Sequence, residues 1–298
     1  MESRFFIYVS LVVDSLIAIF KFTAAYFTAS SSMLSEGIHS LIDLSSQLLL
    51  IWGIKTSSRS PSSERPFGYG REFYFWSFIV SLIIFTMGGC ISVYEGISRL
   101  SRPQMEGNVT WNYAVLAFAF VFNMISMFAA LKAFNKRRGE APFWEAVVKT
   151  KDPSTIIVLL GDFGDLLGLI VAFWGIFLGR LLNKPYYDGI ASMIIGVILI
   201  VTSAILIRES KSLLIGETTS RKTLRSIVKL TETDSAIVKV KKHFSTHLSP
   251  EEVVLQLNAV FKDGLTTHEI TDAIQRIIKN IKKEFPRIKQ IFIEPVAK

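Results

Sequence analysis

Six apolar stretches dominate the first two thirds of the chain, at Phe5 to Phe27, Met33 to Ile54, Phe73 to Ile97, Trp111 to Phe134, Ser154 to Leu182 and Tyr187 to Ile207. Each reaches the length of about 20 apolar residues that a helix needs to cross a bilayer. Lipid offers the backbone no hydrogen bonds, so such a series must fold as helices that satisfy their own amides and carbonyls. The first stretch lacks the strongly basic start of a cleaved signal peptide and the second follows it at once, so it reads as a retained helix. The expectation is a membrane-embedded all-α bundle of six helices over residues 1–208.

Composition agrees. Half of the 298 residues are hydrophobic and 19% are charged, with a mean hydropathy of +0.41, which argues against a soluble cytosolic enzyme. The net charge of +8 follows the loops. Arg4, the segment with Lys55, Arg59, Arg65 and Arg71, the segment with Lys132, Lys136, Arg137, Arg138, Lys149 and Lys151, and the exit at Arg208 and Lys211 fall on one side. Arg99, Arg102, Arg180 and Lys184 fall on the other. That bias places both termini in the cytoplasm. With no targeting segment legible, a bacterial inner membrane is expected. No RNA-binding or zinc-finger signature accompanies the charge, so no nucleic-acid partner is expected. Cys90 is the single cysteine, which excludes an intramolecular disulfide framework and any multi-thiolate zinc site. A metal here needs His and carboxylates.

Beyond Ile207 the character changes, and residues 209–298 read as a small cytosolic α+β domain. A helix over Ser220 to Leu230 precedes a strand over Ala236 to Phe244 and a turn at Leu248-Ser249-Pro250-Glu251. A second strand, Val253 to Phe261, ends at Asp263-Gly264, a turn signal. Thr266 with Glu269 three positions on predicts a helix start, carried on by Ile270, Ile274, Ile277, Ile278 and Ile281 at helical spacing. Ile288 to Glu294 is a last strand. The order α-β-β-α-β predicts three strands backed by two helices.

Ionisable groups inside spanning helices are costly, at about 2.5–3.5 kcal/mol each on insertion scales, and so mark function. Glu36, His39 and Asp43 stand at i, i+3 and i+7 on one face of the second helix, with Gln47 a turn further. Asp162 and Asp165 share a face of the fifth, among Gly161, Gly164 and Gly168, which would admit a neighbouring helix. Asp14 lies on the first helix. An imidazole and several carboxylates from two helices suit a divalent first-row cation; the alternative is a buried polar cluster that fixes packing. Lys21 snorkels or meets a carboxylate. Asp188 begins the sixth helix, where it favours the dipole as a cap, and Asn123 is a cross-helix hydrogen-bond partner. His243 and His247 are four apart near a strand and form a weaker candidate cytosolic metal site; His268 is weaker still.

Ser31-Ser32-Met33-Leu34-Ser35-Glu36-Gly37-Ile38-His39-Ser40-Leu41-Ile42-Asp43 resembles the second-helix signature of the cation diffusion facilitator family of divalent-metal transporters. Arg65-Pro66-Phe67-Gly68-Tyr69-Gly70-Arg71-Glu72 resembles the loop that follows it, with Arg65 where His is common; its implied role is local structure and helix contacts. The resemblance implies that His39 and Asp43 bind metal. Alignment on Gly168 makes Asp162 the fifth-helix ligand, with Val158 where zinc exporters carry a further His or Asp. This departure, with the DPSTIIVLLGD and DGIAS stretches, is similar to the branch that includes zinc transporter nine and its bacterial relatives. Asp165, Glu36, water or another helix then supplies the fourth ligand.

The resemblance further implies a ferredoxin-like cytosolic domain, a homodimer, and exchange of metal for protons by alternating access. The expected function is a proton-coupled antiporter exporting Zn2+ or a related cation, Mn2+, Fe2+ or Co2+, with the metal as substrate and no organic cofactor. The metal-site residues are His39, Asp43, Asp162 and Asp165, with Glu36 and Asp14 as additional ligands or proton-coupling groups. The alternative is a nontransporting membrane sensor or scaffold with a degenerate site. A hydrolase is not expected, because HExxH and GxSxG are absent.

Overall fold

The computed structural model describes residues 2–101, 110–138, 142 and 153–297. Arg102, Lys149 and Lys151, used above in the charge argument, lie outside them, as does the side chain of Val158. Six long helices come first: α1 (Glu2–Thr28), α2 (Ser31–Ser57), α3 (Arg71–Ser101), α4 (Thr110–Arg138), α5 (Pro153–Leu181) and α6 (Tyr186–Ile215). Five of them, α2 to α6, carry spans long and apolar enough to cross a membrane among the described residues. Pro153 opens α5 at the position where a missing N–H costs nothing. Helix α3 is not regular: Ile84–Cys90 forms a π-helical turn within it. The described residues cluster into two compact units. One takes the chain up to Ile54 and Phe75–Ser210; the other takes Lys55–Tyr74 and the chain from Lys211 on.

In the first unit Ile17, Met33, Ile42, Leu50, Ile84, Leu116, Leu169, Ile195 and Leu199 form one buried cluster contributed by all six helices. Large apolar side chains also point outward, among them Leu48, Trp52, Ile125, Phe128, Trp174, Val197 and Val201. Water would penalise such a surface and lipid does not, so the chain is an integral membrane protein. Helices α3 and α6 meet backbone to backbone. A Cβ at Gly96 would lie 2.6 Å from the Gly189 carbonyl oxygen, and one at Gly196 2.8 Å from that of Gly89. Ser192 on α6 joins this seam to α2: its Oγ donates to the Ser92 carbonyl at 3.0 Å and lies 2.5 Å from Ser35 Oγ.

Asp188 sits in the first turn of α6, as expected, but its carboxylate caps a different helix. It accepts from Ser31 N at 2.5 Å, Ser32 N at 3.1 Å, Ser30 Oγ at 2.8 Å and Ser31 Oγ at 2.9 Å, and from Ser32 Oγ in a shorter contact. These are the otherwise unpaired donors at the start of α2, buried and facing a negative charge. Ala29, at φ 55°, makes the tight corner that leads into them.

The second unit holds a three-stranded sheet of order β1-β2-β3, with β1 (Ile237–Ser249) antiparallel and β3 (Ile288–Pro295) parallel to the central β2 (Glu252–Phe261). With α7 (Arg221–Glu232) before β1 and α8 (Thr267–Glu284) between β2 and β3, the element order is α-β-β-α-β. Ser220 caps α7 by accepting from Thr223 N, and Thr266 with Glu269 forms a full capping box on α8. Strand β1 runs five residues past the predicted Phe244, to Ser249, because Pro250 brings the first missing ladder N–H. Leu224 and Ile227 of α7 and Ala273, Ile277 and Ile281 of α8 pack on Leu255 and Leu257 of β2. In the same unit the loop before α3 is pinned by the Arg65–Glu72 ion pair at 3.0 Å. A Cβ at Gly70 of that loop would lie 2.7 Å from the Leu248 carbonyl oxygen, so glycine is what fits against the hairpin.

Candidate metal centre

The polar residues of α2 fall on one face because three and seven residues correspond to nearly whole helical turns. That face meets α5. His39, 3% exposed, places Nε2 3.0 Å from Asp165 Oδ1 and 3.6 Å from Asp43 Oδ2. One ligand atom from each of the three residues lies within 4.8 Å of the others, and this is the only such group of three or more His, Cys, Asp or Glu among the described residues. Tetrahedral donors at about 2.0–2.2 Å from a zinc ion stand about 3.3–3.6 Å apart. The two measured separations, at 3.0 and 3.6 Å, are close to that spacing. His39 Nδ1 is buried and has no hydrogen-bond partner among the described residues.

Asp43 and Asp165 open onto a cavity of about 230 Å³ between the helices. Asp162, Asp14, Gln47, Asn123 and Ser126 line the same space. Asp162 accepts from Ser126 Oγ at 3.2 Å, and Asp14 accepts from Gln47 Nε2 at 2.8 Å. Four carboxylates thus share one polar cavity within the bundle, an arrangement whose electrostatics favour a cation. Asn123 and Ser126 stand at i, i+3 on α4, a spacing that places both toward the cavity; Ser126 went unnoticed in the sequence because a lone serine carries no such signal.

The remaining candidates separate. Glu36 lies outside the cavity lining and instead pairs with Lys21 Nζ at 2.8 Å, both side chains almost fully buried at 0% and 2% exposure. Of the three glycines flanking the α5 acids, only Gly168 is pressed by a neighbour: a Cβ there would collide with Glu36 Oε1. A Cβ at Gly161 or Gly164 would meet nothing within 4 Å among the described residues, which show the expected close helix approach at Gly168. In the sheet unit His247 is buried and His243 exposed; no third ligand joins them among the described residues.

Residues 7–215 match the cation efflux transmembrane domain. The chain is 32% identical over 261 residues to a protein of Xenopus laevis named proton-coupled zinc antiporter SLC30A9, mitochondrial, covering 87% of this chain and 47% of that one. It is 25% identical over 219 residues to metal tolerance protein C4 of Arabidopsis thaliana, covering 73% and 48%. It is 22% identical over 273 residues to the manganese efflux system protein MneP of Bacillus subtilis, covering 89% and 86%. The chain spans about half the length of the first two. A domain match over most of the chain, falling on the helices that bring Asp43, Asp162 and Asp165 to one cavity with His39 beside it, makes this chain a member of the cation diffusion facilitator family, a family of metal transporters.

Proposed function

We propose that the chain is a proton-coupled antiporter that exports a divalent first-row cation, zinc first and manganese next, from the cytosol by alternating access. The observation that carries this is His39 Nε2 held between Asp43 and Asp165 at the edge of a carboxylate-lined cavity. His39, Asp43 and Asp165 supply three donors, and Asp162, released from Ser126, supplies the fourth. Metal binding needs the imidazole neutral and the carboxylates ionised, so protons and cation compete for one set of atoms. A proton gradient then drives release. The carboxylate-rich donor set keeps Mn2+, Fe2+ and Co2+ in view beside Zn2+. Glu36 and Asp14 act around this centre rather than within it. The relatives support both metals, one being named for zinc and one for manganese.

The same reading takes α1 as the sixth spanning helix of a membrane domain over residues 1–208, and residues 209–298 as a ferredoxin-like cytosolic domain through which two copies associate. Both termini face the cytosol of a bacterial inner membrane. Uptake of Zn2+, Mn2+, Fe2+ and Co2+ into proteoliposomes under a pH gradient tests the proposal, with Asp43→Ala and Asp162→Ala as paired controls. Flux in the wild type and none in the folded variants is expected. Absence of flux for every metal would favour the sensor or scaffold.

A further inference from the structure

The Lys21–Glu36 pair is the deepest ion pair in the described part of the bundle, and neither partner lines the cavity. Two charges taken out of water are retained only where mutual attraction and geometry compensate for lost hydration. Here Lys21 holds one carboxylate oxygen, Oε2, at 2.8 Å. The other, Oε1, is buried and accepts no hydrogen bond from the described residues. It fills the notch that Gly168 leaves open on α5.

The register explains what this contact does. Glu36 and His39 are three apart on α2, and Asp165 and Gly168 are three apart on α5. Glu36 meets Gly168 and His39 meets Asp165, so the two contacts are successive rungs between the same helices, about 4.5 Å apart along the axis. A change in how closely α5 approaches at the Glu36 rung is carried to the His39 rung, because packed helices move as rigid bodies.

We propose that Lys21 and Glu36 are positioning residues for the cation centre. Lys21 neutralises Glu36 and aims its carboxylate into the Gly168 notch, and that fixes the separation of α2 and α5 at which Asp165 reaches His39. Glu36 is therefore not a ligand in this state, since its carboxylate lies outside the group of donor atoms that surrounds His39 Nε2. This inference rests on the His39–Asp43–Asp165 centre being the cation site.

The test uses the full chain. Zn2+ and Mn2+ affinity is measured by titration in detergent, and KM and Vmax for uptake are measured in proteoliposomes. The variants are Lys21→Met, Glu36→Gln, the double variant and Gly168→Ala, with Asp165→Asn as the control for the centre itself. Each single variant should raise Kd and KM about 10–100-fold, the range found when groups supporting metal ligands are removed, with Vmax changed far less. The double variant, which removes both charges, should return Kd to within a few-fold of wild type. Gly168→Ala should raise Kd without altering any charge, and it keeps the test alive if a charge variant does not fold. Wild-type Kd in the singles, or a double variant no better than the worse single, overturns the proposal while leaving the centre intact. Equal cation binding by wild type and Asp165→Asn overturns the centre, and this inference with it.

Discussion

His39 lies closer to Asp165, across the gap between two helices, than to Asp43 on its own helix: 3.0 Å against 3.6 Å. The interhelical contact is the one at hydrogen-bond distance. Asp165→Asn should therefore abolish saturable metal uptake as completely as Asp43→Asn, while both proteins elute as folded species on size exclusion. Wild-type uptake by Asp165→Asn would leave the contact with His39 as packing alone.

Asp188 carries the start of α2 across 157 residues of sequence. Asp188→Ala strands the buried amides of Ser31 and Ser32, at a cost of about 1–3 kcal/mol for each unsatisfied group. The melting temperature in detergent should fall by several degrees. Asp188→Asn, which keeps one acceptor oxygen, should fall less; equal melting of all three proteins would refute the cap.

Glycines of similar appearance should respond with opposite signs. Gly96→Ala drives a methyl group into the Gly189 backbone and should destabilise by about 1–3 kcal/mol through overpacking. Gly164→Ala meets nothing within 4 Å among the described residues and gains helix propensity of up to about 1 kcal/mol, so it should melt at or above wild type. Chemical denaturation of the two variants side by side decides.

The capping box on α8 predicts an acid-labile helix start. The Glu269 carboxylate is held below its usual range by the backbone N–H and hydroxyl of Thr266. Its contribution is fully present above the unfolded glutamate value of about 4.3 and disappears as pH falls through the lower folded value. Amide exchange in the first turn of α8, corrected for intrinsic rates, should rise as pH drops below about 4. In Glu269→Gln that pH dependence should vanish, since a glutamine can keep the box without titrating.

Much of this was legible in the chain because the physics is local. The spacing of Glu36, His39 and Asp43 fixes a helix face wherever the helix lies, and Thr266 with Glu269 encodes a helix start within four residues. Long-range choices were not legible. Asp188 reads as a cap for the helix that contains it, because nothing in the sequence points to three serines more than 150 positions earlier. Glu36 and Asp165 look equivalent as intramembrane acids; only packing shows that one faces Lys21 and the other His39. Gly161, Gly164 and Gly168 are alike as letters, and the position of Glu36 decides which is crowded. Strand β1 outran its prediction because alternation fades where His247 and Leu248 are both buried.

The π-helical turn in α3 has a consequence for tolerance to change. Ile84–Cys90 accommodates an extra residue, so the segments before and after it are out of phase with one regular helix. Deleting any one residue there would leave an uninterrupted apolar stretch of nearly the same hydropathy, still long enough to span. Within the turn, the deletion would let the segment close as regular α-helix with both flanks on nearly their present faces. The same deletion between Ile91 and Glu95, where the helix is regular, would swing everything on one side of it by about 100° and turn Gly96 away from Gly189. Two shortenings indistinguishable in a hydropathy profile would thus differ in whether α6 stays seated on α3.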